Sequence, residues 1–347
     1  MALRRSFASI VQTSIRQAST FKAAVLKEVG QPLKIESVKA AKLNKDQVRV
    51  KVSKCGVNSA DLLVCQGEYH VKPKLPFVPG FEVAGEVLEV GSEVKTLQKG
   101  DRVIGLNKDL FSGFAQQCIL NQNDVWNLPG EISFKEGAAL PDSYATALLG
   151  LARRAQLQEG DSVLVTAAAG GLGLAAVDLA ANVYRAKVIG VCGTEDKASL
   201  VREKGAWAAL TYKPEHLRAK VKEITEGKGV RVIFDAVGGH VFEESLKCVA
   251  HEGMVVVAGF ASKQIPQVET SSLLPKAFSL VGVSLSNYRI SDPEVYRQSV
   301  EDVVDMCEQG LISPHVSAEF DLEKVNEAFE FLRERRSTGK VILDCDD

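Results

Sequence analysis

What the sequence lacks narrows it first. It has no charge excess, since 42 Lys and Arg stand against 44 Asp and Glu for a net charge of −2, and nothing electrostatic favours nucleic acid as the main partner. It has no CxxC pair. The seven cysteines (Cys55, Cys65, Cys118, Cys192, Cys248, Cys307 and Cys345) are an odd set spread along the whole length, which argues against a disulfide framework and a local zinc ribbon and for a reducing compartment. The five histidines (His70, His216, His240, His251 and His315) offer no HExxH spacing and read as surface or capping residues. The longest apolar stretch, Val163 to Val177, falls short of 18 residues and is rich in Gly and Ala, so no membrane insertion is expected and the protein should be soluble. Internal repeats and low-complexity linkers are absent as well.

What is present is the composition of an ordinary globular protein, with 46% apolar and 25% charged residues. A length of 347 residues favours two domains, each with a sizeable core. The first acidic residue is Glu28, preceded by Arg4, Arg5, Arg16, Lys22 and Lys27 among Ser, Thr, Ala and scattered apolar residues. A basic, acid-free start of this kind predicts a mitochondrial transit peptide over residues 1–20, a matrix location and a mature fold beginning near Phe21.

From Phe21 to about Leu128 the chain reads as β, with strands at Lys22–Leu26, Val48–Val52, Val83–Val90 and Asp101–Leu106 between Gly- and Pro-rich turns. From about Tyr144 apolar strands alternate with helical stretches near 172–183, 195–205, 215–226 and 240–250. That βαβ rhythm predicts an α/β fold with a parallel sheet covered on both faces. A helix over Pro293–Glu308 and a strand over Gly339–Leu343 complete the chain.

The strongest chemical signal is Val163–Val165 running through Thr166-Ala167-Ala168-Ala169-Gly170-Gly171-Leu172-Gly173 into an apolar helix. On the G-x-G-x-x-G template the three positions are Ala168, Gly170 and Gly173. The middle glycine lets the backbone approach a pyrophosphate, the last lets the helix pack on the strand, and the helix N-terminus offers N–H groups to the anion. The strand that follows decides the dinucleotide. It ends at Cys192 where an NAD-preferring fold usually has Asp or Glu, and Lys197 could pair with a 2′-phosphate, so NADP(H) is expected. Glu195 and Asp196 read equally as first-turn residues complementing a helix dipole, and Lys197 as a solvated charge. If Glu195 turned toward the ribose, NADH would compete.

With Cys55-Gly56-Val57-Asn58-Ser59-Ala60-Asp61, Gln66-Gly67-Glu68-Tyr69, Pro79-Gly80-Phe81-Glu82-Val83-Ala84-Gly85-Glu86-Val87, Phe234-Asp235-Ala236-Val237-Gly238-Gly239 and Ser337-Thr338-Gly339-Lys340-Val341 beside the glycine turn, the chain resembles the medium-chain dehydrogenase/reductases and, within them, the zinc-free quinone oxidoreductases. The resemblance implies a GroES-like β-rich catalytic domain over 21–145 and 289–347, wrapped around a doubly wound Rossmann domain over 146–288. The active site would lie in the cleft between them, and the resemblance also implies a homodimer. Where zinc-dependent members carry Cys, His and Cys as ligands, this chain has Asn58, Phe81 and Asp142, and the Cys-rich structural lobe is missing. No metal is therefore expected.

By the same resemblance Asn58 and Tyr69 line the substrate cleft as candidate catalytic donors, while a Tyr common in relatives is Leu63 here. Tyr144 and Thr146 would contact the nicotinamide side, and Ala168, Gly170, Gly171, Leu172 and Gly173 the pyrophosphate. Thr194, Lys197 and Tyr212 would hold the adenosine 2′-phosphate, with Phe260, Gly339 and Lys340 as further cofactor contacts. The implied activity is hydride transfer from NADPH to a small quinone or α,β-unsaturated carbonyl compound. The alternatives are a mitochondrial enoyl-thioester reductase and an NADPH-binding protein with little turnover.

Overall fold

The computed structural model describes residues 20–108 and 110–346; all but the last residue of the expected transit peptide lies outside them. The chain opens with β1 (Thr20–Val25), β2 (Lys34–Lys39), β3 (Gln47–Val57), α1 (Ser59–Cys65), β4 (Glu82–Val90), β5 (Arg102–Leu106), β6 (Gln117–Asn121) and β7 (Val125–Asn127). The short helix α2 (Phe134–Gly137) and α3 (Pro141–Leu148) follow. An alternating stretch comes next: β8 (Ser162–Val165), α4 (Gly171–Asp178), β9 (Lys187–Cys192), α5 (Glu195–Glu203), β10 (Ala208–Thr211), α6 (Pro214–Ile224), β11 (Val230–Asp235), α7 (Gly239–Leu246), β12 (Val249–Val257) and β13 (Ser279–Gly282). It closes with α8 (Leu285–Ser291), α9 (Pro293–Glu308), β14 (Val316–Asp321), α10 (Val325–Arg333) and β15 (Lys340–Asp344).

Residue patterns explain the two kinds of sheet. In β3 Val48, Val50 and Val52 are fully buried while Arg49 and Lys51 alternate with them, the period-two signature of a strand with one wet face. In β8 Val163, Leu164 and Val165 are all fully buried, as a strand covered on both faces requires. The six-stranded sheet, in the order β10-β9-β8-β11-β12-β13, is parallel throughout. Its order reverses between β8 and β11, which puts the crevice for a ligand beyond their C-terminal ends. The other large sheet runs β14-β15-β3-β4-β5-β7, with β6 on β3. Its strand β15 comes from the end of the chain and pairs antiparallel with β3, so the C-terminal segment returns to the first domain. The α/β architecture with a β-rich and a doubly wound part is the one expected.

Among the elements that the sequence reading does not place are three short helices. α1 lies inside a segment that reads as β, and its signal is the local Asn58-x-x-Asp61 spacing: the Asp61 carboxylate accepts the Asn58 N–H at 2.9 Å and the Gly80 N–H at 3.1 Å. α8 and α10 are short amphipathic helices in a region where only α9 has a long period, with Tyr296, Val300, Val303 and Val304 buried. Two buried carboxylates join the parts. Asp178, on α4, accepts from Tyr144 Oη at 2.6 Å, Asn182 Nδ2 at 2.7 Å and Ser313 N at 3.0 Å, and pairs with Lys204. Asp124 accepts a two-pronged contact from Arg289 at 2.6 and 2.7 Å and a bond from Tyr296 Oη, which fastens α8 and α9 to the first domain. Among the described residues no helix is long and apolar enough to cross a membrane.

The sharpest packing constraint is at Gly173, where a Cβ would lie 2.2 Å from Ala167 O. Gly173→Ala is expected to lower stability by about 1–3 kcal/mol, because backbone must move to admit the methyl group. Gly170→Ala, whose Cβ would stand 3.3 Å from the same oxygen, should cost clearly less. Urea denaturation of the two variants checks the order.

Candidate active site

The glycine turn begins where β8 ends. Thr166 Oγ1 donates to Asp235 Oδ1 at 2.7 Å and accepts from Ala236 N–H at 3.1 Å, which ties the ends of β8 and β11 together at the switch point. Asp235 also accepts the Gly238 N–H at 2.8 Å; burial raises its pKa against these bonds, Thr166 first. Ala167 takes a positive φ of 46°. Gly170 then caps α4, and no side chain caps that helix, so its first turn presents backbone N–H groups and the positive dipole end to an anion. Ala168 in place of the first glycine is accommodated by Gly190 opposite it, where a Cβ would come within 3.0 Å of the Ala168 Cβ. The room left at Gly170 and the close packing at Gly173 fit a pyrophosphate, with Gly171 and Leu172 between them on the helix start.

At the end of β9 the structure brings together the residues expected around an adenosine phosphate. Cys192 is buried, and burial pushes its thiol up to about 11. Thr194 caps α5, its hydroxyl accepting the Lys197 N–H at 3.4 Å. Tyr212 N donates to Cys192 O at 2.8 Å, which sets Tyr212 at the same strand end. Lys197 Nζ donates to Arg335 O at 2.7 Å, and burial together with the Arg335 guanidinium lowers the Lys197 pKa although Cys192 opposes this. Arg335 was not foreseen: it stands in a positive-φ turn after α10, and no spacing in the sequence connects it to Lys197, 138 residues away. Glu195 is ion-paired with Arg202 of its own helix.

The C-terminal segment links this cradle to a polar cluster. Gly339 N donates to Ala169 O at 2.7 Å, and Gly339, at φ 56°, leaves no space for a Cβ, which would sit 2.2 Å from His315 O. The next residue, Lys340, sends its side chain to the first domain. Its ammonium donates to Glu82 Oε2 and to Asn58 Oδ1, both at 2.6 Å, while Asn58 Nδ2 donates to Glu82 Oε2 at 3.0 Å and Asp142 N–H to Glu82 Oε1 at 2.9 Å. Glu82 has no exposure and Lys340 4%. This network fixes which way the Asn58 amide faces, because its oxygen meets a pure donor and its nitrogen a carboxylate; one of its two N–H groups remains. Gly56 makes the room, since a Cβ there would lie 2.6 Å from both Glu82 Oε2 and Ala138 O. Nearby, burial pushes Asp61 up to about 7 despite its two backbone bonds.

Lys108, absent from the sequence expectations, completes the cluster. It is ion-paired with Asp142 and stands 5.2 Å from the centre of the Phe81 ring. Burial lowers its pKa, but Asp142, Tyr69 and Glu82 outweigh this and leave it raised. Tyr69 is half-buried with its ring 4.2 Å from that of His70. On the facing wall Phe260 is exposed, and three residues on Lys263 reaches across to Glu68 Oε2 at 2.6 Å and Gln66 Oε1 at 3.2 Å.

Not every expected residue joins the cleft in the expected way. Tyr144 is 3% exposed with its hydroxyl donating to Asp178, a commitment that joins α3 to α4, and Thr146 is buried on the same helix. Lys340 is held by Glu82 and Asn58, so what it offers a cofactor is its backbone and stem, which lies 3.1 Å from the Gly171 Cβ position. A surface groove of about 640 Å³ lined by Trp126, Pro129, Arg297 and Glu301 lies elsewhere and contains none of these groups.

The chain matches the family described as alcohol dehydrogenase GroES-like domain over residues 44–150 and that described as zinc-binding dehydrogenase over 171–306. It is 48% identical over 327 residues to the quinone oxidoreductase-like protein 2 homolog of Nematostella vectensis, covering 94% of this chain and 89% of that one. It is 46% identical to quinone oxidoreductase-like protein 2 of Mus musculus, covering 94% and 93%. The crystal structure of Escherichia coli quinone oxidoreductase complexed with NADPH superposes with a TM-score of 0.84 at 29% identity, covering 94% and 99%.

The name of the second family implies zinc, and the residues present do not fit it. Phe81 has no donor atom, the Asn58 amide is taken up by Lys340 and Glu82, and Asp142 is paired with a lysine ammonium. Among the described residues no three His, Cys, Asp or Glu side chains are grouped to hold a metal ion.

The buried pair makes a strong demand on stability. Lys340→Met is expected to destabilise the protein by about 3–5 kcal/mol, because Glu82 is left charged and unpaired. Adding Glu82→Leu should recover part of the loss. Chemical denaturation of the single and double variants measures both.

Proposed function

The chain belongs to the quinone oxidoreductases of the medium-chain dehydrogenase/reductase superfamily, and from that premise we propose that it is a zinc-independent, NADPH-dependent reductase of quinones or α,β-unsaturated carbonyl compounds. The observation that carries this reading is the adjacency of Gly339 and Lys340: one residue bonds to the glycine turn and the next to Asn58 and Glu82. A dinucleotide on that turn and a substrate beside Asn58 are thereby held next to each other. NADPH, when bound, supplies the hydride.

The chain's own groups bind and orient. The α4 N-terminus and the small residues Ala168 to Gly173 would hold the pyrophosphate. For the 2′-phosphate, Lys197 and Arg335 are two cations drawn together at a strand end without an acid, and Glu195 is engaged by Arg202; this arrangement supports NADPH over NADH. The remaining Asn58 N–H and the Tyr69 hydroxyl are the donors for oxygen on the substrate, and water can supply the final proton. The N-terminal composition supports import into the mitochondrial matrix with loss of about 20 residues. Edge strand β13, with Leu280 exposed and open space at Gly282, supports a homodimer.

Purified protein with NADPH and a panel of small quinones and enones tests the reaction; binding of NADPH without reduction of any quinone, enone or enoyl thioester overturns it in favour of a binding protein. Lys197→Ala and Arg335→Ala should each weaken NADPH binding about 10- to 100-fold and leave NADH nearly unchanged. Equal losses for both cofactors would assign these residues to the fold alone. N-terminal sequencing of the protein from a mitochondrial fraction checks import, and an intact Met1 in a cytosolic fraction counts against it.

A further inference from the structure

We propose that Lys108 is a catalytic residue, whose ammonium receives the negative charge that develops on the acceptor oxygen. The inference rests on the reading of the cleft as a quinone- or enone-reducing site and names the group that does the electrostatic work there. Reduction adds a hydride to an acceptor carbon, breaks the carbonyl π bond, leaves that electron pair on oxygen and ends with a proton from water; Lys108 stabilises the oxyanion and transfers nothing.

Four observations converge on it. Lys108 is the one cation of the cluster not consumed inside it: the Lys340 side chain is 5% exposed and bonded to both Glu82 and Asn58, whereas the Lys108 side chain is 19% exposed and Asp142 is its only ion-pair partner among the described residues. An ammonium has three N–H groups, so donors remain after Asp142. Its nitrogen lies 5.2 Å from the centre of the Phe81 ring, and Asp142 first, then Tyr69 and Glu82, outweigh burial and keep the charge on at neutral pH. It also stands among Phe81 and Asp142, two of the three positions where zinc-dependent relatives carry ligands, so the chain brings a cation of its own to that place. Asp142 does not cancel the effect. An oxyanion on the far side of the ammonium stands about twice as far from the carboxylate as from the nitrogen, and attraction exceeds repulsion roughly twofold.

The test uses the full protein and two readouts. 4-Nitrophenol, a chromophoric phenol whose anion resembles a reduced quinone, is titrated spectrophotometrically in the presence of the protein and NADP⁺. With wild-type protein the bound phenol should ionise at a pH lower by one unit or more than in water, a tenfold shift in its ionisation constant. Lys108→Met should abolish the shift and Lys108→Arg should retain most of it. In turnover Lys108→Met should lower kcat about 10²-fold with the NADPH dissociation constant changed less than threefold, and Lys108→Arg should recover part of the rate. An unshifted phenol, no phenol binding at millimolar concentration, or a Lys108→Met variant equal to wild type overturns the proposal. A wild-type protein that reduces no acceptor overturns the proposed function instead, and the phenol titration still decides whether Lys108 holds an oxyanion.

Discussion

Glu82 is a carboxylate with no contact to water, and the cleft is organised around meeting its charge. Isolated, such a group would be too costly to bury; with a lysine ammonium at 2.6 Å, an amide and a backbone N–H it becomes the anchor of the site. The lysine is Lys340, whose neighbour Gly339 is hydrogen-bonded to the glycine turn. Meeting the charge of Glu82 therefore also registers the first domain against the parallel sheet. The orientation of the Asn58 amide, the position of the α3 N-terminus at Asp142 and the space demanded of Gly56 are consequences of the same contact.

Two pairs of opposite charge lie side by side, and they differ in access. Lys340 with Glu82 is sealed and acts on structure, while Lys108 with Asp142 is partly open. A similar division holds at the nucleotide end. Asp235 is sealed and fastens β8 to β11 through Thr166, whereas Lys197, bonded to the Arg335 carbonyl, is only partly buried. In both halves a buried carboxylate sets the geometry beside a less buried cation.

Much of this was legible because it is local. The β8–turn–α4 unit, the strand alternation of β3 and the amphipathic period of α9 are read from adjacent residues, and so is the missing acid at Cys192. The position of Asn58 beside Phe81 and Asp142 came through family resemblance, since those residues are distant along the chain. What escaped depends on contacts that carry no spacing. Lys108 sits in a short stretch after β5 that reads as a plain loop, and Arg335 reaches Lys197 across 138 residues. Family resemblance puts Tyr144 on the nicotinamide side, but its hydroxyl bonds to Asp178, on a different helix, a contact that no local spacing announces.

The order in which the chain is synthesised gives the Glu82 contact one more consequence. Glu82, Asn58 and Asp142 all emerge from the ribosome before the parallel sheet exists, and the lysine that neutralises Glu82 follows 258 residues later. Domains tend to fold from the N-terminus as they appear. Here the first domain cannot settle its innermost charge, nor place β15 beside β3, until the C-terminal segment has been made. The cleft built around that contact therefore depends on the C-terminal segment being in place.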